Sequence, residues 1–235
     1  MSDERFLIVN ADDLGMTDAV NAGIAAAFER GIVTSASLMV RQAAAPAGAA
    51  YAKAHPELAV GLHIDLGQWD YENGEWIATY EHCDQEDPAA VEREARAQLE
   101  LFRRLLGRDP THLDSHQHVH MSEPLASVAG RFAAELGVPL RDRGIPYEGG
   151  FYGQNDKGES FPEAIGVESL IALLRQLPDG VTELGCHPGM EMHGESSYAE
   201  ERRREVRTLC DPAVRAAIES EGIRLASFAE FGRGG

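Results

Sequence analysis

Short apolar runs alternate with longer amphipathic or alanine-rich stretches along this chain, about seven times. Phe6–Asn10 (FLIVN) is continuously apolar, as a parallel strand covered on both faces should be. A helix is expected over Asp18–Arg30, with Thr17 as its N-cap and Gly31 closing it. Thr34–Val40 reads as a second strand and Leu58–Leu66 as a third, with an alanine-rich helix to about His55 between them. Gln68–Glu86 has no clear period, holds both tryptophans and reads as a long loop. Pro88 opens a helix to about Leu106. Thr111–Ser115 is a short strand, and SEPLASVAGRFAAEL a helix after it. Val138–Asp142 (VPLRD) follows as a strand-like run, then a second long loop over Ile145–Pro162. A helix over Val167–Leu177, a strand within Val181–Gly189, helices over Tyr198–Cys210 and Pro212–Glu221 and a strand at Ile223–Phe228 complete the chain. No linker, repeat or low-complexity tract interrupts the alternation. It predicts one parallel α/β domain over residues 1–235, as an open doubly wound sheet or a closed barrel.

In either architecture the C-terminal strand ends share one rim, where active sites sit. Asp12 and Asp13, His63, the block THLDSHQHVHM and His187 all fall at such ends. Neighbouring carboxylates on an extended chain point in opposite directions, so one can bind a metal while the other serves as a base. In the histidine block, His116 and His118 share a side of an extended chain, whereas His116 and His120 share a face if the chain has turned helical. Either geometry brings two imidazoles to one point, and imidazole is a common catalytic-metal ligand. Asp114 lies inside the block and is a further ligand or a support for one, and Asp65, on the same side as His63, is a support. Pro188 pins His187 in an extended conformation, which suits a general acid or an anchor for a leaving group. Glu191 and His193 are further rim residues. His112, Cys186 and the Arg202–Arg204 run read as bland: a residue outside the site, a small core residue and a solvated face.

A carboxylate and two histidines leave open positions on a metal for water and substrate. Such an ion acidifies water and polarises a carbonyl, while a free carboxylate takes a proton and a histidine supplies one. This is machinery for hydrolysis at an acyl or phosphoryl centre. The donor set suits zinc, iron, cobalt or manganese better than magnesium.

Composition narrows the partners. The formal net charge is −18, which disfavours nucleic acid and anionic membranes. The three cysteines fit neither a zinc ribbon nor a disulfide framework, and the N-terminus lacks a signal-length apolar core, so a cytoplasmic protein is expected. No GxSxG elbow or phosphate-cradling glycine loop occurs.

IVNADDLGMTDAVNAGI, SASLMV, GLHIDLG, THLDSHQHVHM and TELGCHPG, in this order, resemble the YdjC-like family of carbohydrate deacetylases, the chitooligosaccharide deacetylases. The resemblance covers most of the chain. It implies a single irregular (β/α) barrel of about seven parallel strands, TIM-barrel-like, one divalent metal ion (magnesium is usual in the family) and removal of N-acetyl groups from N-acetylglucosamine-containing oligosaccharides. Carried over by motif, Asp13, His63 and His120 bind the metal, with His116 as the reserve ligand. Asp12 is the base, and His187 the acid or the residue that steadies the departing amine. Trp69, Trp76, Phe151 and Tyr152, in the two long loops, become candidate stacking surfaces for sugar. A homodimer is a family expectation. The competing readings are a metal phosphoesterase, which needs basic groups to hold phosphate, and a metal-bound sugar sensor without turnover.

Overall fold

The computed structural model describes residues 4–72, 75–155, 158–190 and 198–232. Three strand–helix units open the chain. They are β1 (Arg5–Leu14) with α1 (Asp18–Arg30), β2 (Ser35–Leu38) with α2 (Ala45–Ala54), and β3 (Ala59–Ile64), which a hairpin separates from its helix. The hairpin is β4 (Gly67–Glu72) with β5 (Glu75–Glu81), and the helix is α3 (Pro88–Leu106). Next come β6 (Leu113–Ser115), a 3-10 segment over His116–Met121, α4 (Leu125–Leu136) and the short β7 (Tyr147–Glu148). The chain ends with α5 (Val167–Leu174), β8 (Gly180–Cys186), α6 (Ala199–Leu209), α7 (Pro212–Ser220) and β9 (Ile223–Ala226).

The sheet is parallel, in the order β6-β3-β2-β1-β8-β7, with β9 also beside β1. β9 pairs with the first half of β1 (Arg5 to Ile8), and β2 with the second half (Asn10 to Leu14). The expected barrel is therefore a curled sheet that stays open between β6 and β7. Every residue of β2 and β3 is buried, which is why neither strand shows a solvent face of alternating charged residues and why their polar members, Ser35, Ser37 and His63, are enclosed. Three helices, α1, α3 and α7, start at side-chain caps: Thr17 accepts from the Val20 amide, Asp87 from Ala89 and Asp211 from Ala213.

Two expectations fail for physical reasons. Gln68–Glu86 is not a loop over its first part but an antiparallel hairpin, with Tyr71 opposite Trp76. It stands off the main sheet with β5 exposed, so no buried face imposed an apolar period. Val138–Asp142 is not a strand: only Leu140 makes isolated bridges, to Leu113 and Arg143. A groove of about 760 Å³, lined in part by Leu140, Pro146, Val181 and Phe231, lies at the N-terminal end of β8, opposite the rim.

Candidate active site

The end of β1 explains how two adjacent carboxylates reach one site. The β1–β2 register shifts between Ala11 and Leu14, and Asp13 adopts a left-handed φ of 68°. The bulge cancels the alternation that would send Asp12 and Asp13 to opposite faces. A left-handed aspartate costs about 1 kcal/mol, so the surrounding contacts must hold it.

They do. Asp13 Oδ1 lies 3.4 Å from His63 Nε2 and 3.1 Å from His116 Nδ1, and all three residues are buried. Asp13 Oδ2 accepts a hydrogen bond of 2.6 Å from the Arg202 guanidinium. Each imidazole has its outer nitrogen occupied. His63 Nδ1 is 2.8 Å from Asp114 Oδ1, and His116 Nε2 is 2.6 Å from Gln68 Oε1. Both outer partners are acceptors, which draws the ring proton outward and leaves Nε2 of His63 and Nδ1 of His116 facing the same carboxylate oxygen. Facing lone pairs of this kind call for a cation between them. Two imidazoles and one carboxylate with fixed outer partners fit a divalent metal ion.

His120 does not belong to this group. Gln117 and His118 both take left-handed φ values, 49° and 54°, so the block follows neither a strand nor an α-helix after His116. The His116 ring enters the site, while His120 is buried against Ser115, whose Oγ lies 2.6 Å from its Nδ1. The reserve histidine therefore takes the geometric place expected for His120.

A second buried network lies behind the first. Arg141 is completely enclosed and meets three carboxylates: Asp12 through two hydrogen bonds of 2.6 and 2.7 Å, Asp114 at 2.9 Å and Glu183 at 2.7 Å. Asn10 donates to Asp12 at 2.8 Å, and Ser37 donates to Asp114 at 2.6 Å. Burial opposes ionisation of Asp12 and Asp13, yet Arg141 holds Asp12 below the ordinary aspartate pKa, and Arg202 with His116 holds Asp13 well below it. Burial likewise opposes charge on His63, but Asp114, Asp12 and Asp13 together hold its pKa well above the ordinary imidazole value. Burial raises Glu183 to about 7.

His187 closes the other side. Its Nε2 lies 3.8 Å from Asp12 Oδ2, its backbone amide donates to Glu205, and burial lowers its pKa to about 4. Tyr152 packs edge-on against this ring at 5.3 Å and stacks on Tyr198.

The remaining candidates separate. Asp65 supports no candidate ligand: it accepts from Gln42, Tyr80 and the Gly67 amide and so anchors the β4–β5 hairpin. Phe151 is a core residue, 1% exposed, and offers no stacking surface. Tyr152, its neighbour, is 39% exposed beside His187. Trp69 is half-buried, with its backbone held by Gln117, while Trp76 is exposed farther along the hairpin. His112 is buried and stacked on Phe228. Glu191 and His193 lie outside the described residues. Sequence reasoning missed Arg141, Arg202 and Gln68.

A family model for YdjC-like proteins matches residues 6–220. The chain belongs to the YdjC-like family. Among curated members, a carbohydrate deacetylase of Geobacillus stearothermophilus is 35% identical over 97% of this chain and 98% of its own length. A chitooligosaccharide deacetylase of Klebsiella pneumoniae is 32% identical over 96% and 98%. A crystal structure from Enterococcus faecalis V583, provisionally named a cellobiose-phosphate cleavage protein, matches with a TM-score of 0.79 at 29% identity, covering 97% of this chain and 99% of that one. A family 4 carbohydrate esterase of Streptomyces lividans shares the fold, with a TM-score of 0.59 at 10% identity over 96% and 93%. Among the described residues, no helix of this YdjC-like protein is long and apolar enough to cross a membrane.

Proposed function

We propose that this YdjC-like protein is a metal-dependent carbohydrate deacetylase that hydrolyses the N-acetyl group of an N-acetylglucosamine-containing oligosaccharide. One observation carries the reading. Asp13, His63 and His116 converge on one point, and an ionised carboxylate, Asp12, and a neutral imidazole, His187, stand beside them. Membership of a family whose curated relatives are named carbohydrate and chitooligosaccharide deacetylases supplies the substrate class.

Asp13, His63 and His116 would hold the divalent metal. When bound, the ion supplies Lewis acidity for the amide carbonyl and lowers the pKa of water. Magnesium follows from the family resemblance, while the two-imidazole donor set suits zinc, cobalt or manganese. Asp12 takes the proton of the attacking water. Its oxygens are both hydrogen-bonded to Arg141, which keeps it ionised and aimed at the cost of basicity. The new C–O bond forms as the water proton leaves, and the C–N bond then breaks to give acetate and the free amine. His187 is neutral in the free protein, so it acts as acid only by relaying a proton: the one Asp12 takes from water passes to His187 Nε2, 3.8 Å away, and from there to the departing nitrogen, which leaves Asp12 ionised and His187 neutral again. Tyr152, packed against His187 and partly exposed, and Trp69, the residue after Gln68, are the aromatic surfaces offered for sugar rings. A phosphoester substrate is disfavoured, because Arg141 and Arg202 are committed to carboxylates.

The test is acetate release from diacetylchitobiose and longer N-acetylated oligomers, by chelated enzyme and by enzyme refilled with single divalent metals. Release that returns only with metal supports the reading. Absence of release with every metal, from folded protein, overturns it for these substrates.

A further inference from the structure

The two glutamines nearest the site form a reciprocal clasp between the β4–β5 hairpin and the histidine block. Gln68, on β4, accepts at Oε1 from His116 Nε2 at 2.6 Å. Gln117, the residue after His116, pairs its side-chain amide with both backbone groups of Trp69, the residue after Gln68. The distances are 3.0 Å from the Trp69 amide to Gln117 Oε1 and 2.7 Å from Gln117 Nε2 to the Trp69 carbonyl. Gln117 reaches the hairpin from a left-handed backbone, φ 49°, that a glutamine rarely adopts.

The amide of Gln68 can point only one way. Its Nε2 donates to Asp70 Oδ1 at 3.0 Å, and the other Asp70 oxygen accepts from Thr79 on β5 at 2.7 Å. A carboxylate accepts and does not donate, so the nitrogen of Gln68 must face Asp70 and the oxygen must face His116. That oxygen requires a proton on His116 Nε2 and frees Nδ1, which lies 3.1 Å from Asp13 Oδ1. A chain of oriented groups therefore runs from Thr79 through Asp70 and Gln68 to His116.

We propose that Gln68 is a positioning residue for the metal site: it fixes the ring and tautomer of His116, and through it the hairpin carrying Trp69, Tyr71 and Trp76 is coupled to metal occupancy. The proposal rests on the reading of Asp13, His63 and His116 as metal ligands. Coupling is reciprocal, so a metal that needs Nδ1 of His116 also favours the docked hairpin. Hairpin contacts with sugar would in turn favour the ligand geometry.

The experiment uses zinc or cobalt ions alone with metal-free full-length protein. Calorimetry compares the wild type with Gln68→Met, which keeps the side-chain length without the acceptor, and with the double variant Gln68→Glu, Asp70→Asn, which restores an acceptor and removes the facing charge. Gln68→Met should weaken metal binding about 10- to 100-fold, as loss of an outer partner of a ligating histidine does, and the double variant should recover most of it. Amide hydrogen exchange over Trp69–Tyr71 should slow with zinc in the wild type and not in Gln68→Met. Long-range proton–nitrogen spectra of the zinc-loaded wild type should show His116 protonated at Nε2, a result independent of whether any variant folds. Equal metal affinity in wild type and Gln68→Met, or His116 protonated at Nδ1, overturns the proposal while leaving the ligand set standing. Failure of the wild type to bind either ion removes the ligand reading and the proposal with it.

Discussion

Arg141 grips Asp12 with two parallel hydrogen bonds, Nη1 to Oδ2 at 2.6 Å and Nη2 to Oδ1 at 2.7 Å, inside a pocket that solvent does not reach. The same guanidinium serves Asp114 and Glu183. One cation thus compensates a proposed catalytic base, the carboxylate that orients His63, and a third acid from β8. Bidentate geometry makes arginine specific here, since a lysine could not meet three carboxylates with fixed forks.

Arg141→Met should therefore be costly. It leaves three buried carboxylates without their cation, a change worth about 3–5 kcal/mol of stability at pH 7. The sign of its pH dependence follows. Without Arg141, burial raises the folded-state pKa of these acids above the unfolded values, so the variant is least impaired where all are protonated and loses stability as pH rises. Urea unfolding at pH 5 and pH 8 should show a larger deficit against wild type at pH 8. Equal deficits would mean that the carboxylates are neutralised some other way.

Asp12→Asn tests the division of labour between the adjacent carboxylates. It removes the proposed base but none of the three residues, Asp13, His63 and His116, that converge. Turnover of an N-acetylated oligosaccharide should fall by about 10²–10⁴-fold, with zinc affinity by calorimetry changed only a few-fold. Retained turnover would remove Asp12 as the base.

Gly23 offers a test of His187 without touching it. A Cβ on Gly23, in α1, would fall 2.3 Å from the Gly189 Cα, in the turn that follows His187 and Pro188. The same turn is tied to α1 by the Met190 amide donating to the Ala19 carbonyl. Gly23→Ala must displace backbone rather than a flexible side chain, at about 1–3 kcal/mol. A shift of His187 of order 1 Å can lower kcat by about 10²-fold, while metal binding stays near wild type. If kcat is unchanged in a variant shown to be folded, His187 has no need of its present position.

The alternation of apolar runs and the acid and histidine residues at their ends made the rim legible, because buried parallel strands advertise themselves and polar residues at their tips are costly without a role. What stayed hidden depends on tertiary crossings. The choice of His116 over His120 turns on left-handed backbone at Gln117 and His118, which no periodicity shows. Arg202 sits in a run of three arginines, and only the docking of α6 buries it against Asp13 while Arg203 and Arg204 stay half-exposed. Arg141 lies in a segment that looked like a strand and is held instead by one bridging residue, Leu140. Phe151 and Tyr152 share an irregular aromatic stretch, so the pattern could not say that one is core and the other faces His187.

His112 yields the clearest pH prediction. It is fully buried, stacked on Phe228 with ring centres 3.9 Å apart, and its Nε2 lies 3.0 Å from Ser37 Oγ. Burial lowers its pKa to about 4, so the folded protein carries it neutral where the unfolded chain, near the free value of 6.5, begins to protonate it. A depressed folded-state pKa contributes stability that is present above pH 6.5 and is lost as pH falls through that value toward 4. Between those limits the unfolded chain binds one more proton at this site, which gives a slope of about 1.4 kcal/mol per pH unit. His120 and His187 are lowered to about 4 as well, and burial also lowers His118, so acid sensitivity in this window is shared among these four histidines. His112→Gln cannot titrate and should remove one proton's share. Unfolding free energies measured at pH 5.0, 5.5 and 6.0 should rise less steeply with pH in the variant, by about 1.4 kcal/mol per unit. An unchanged slope would show that His112 is charged in the folded protein, which would require a reordered contact with Asp114.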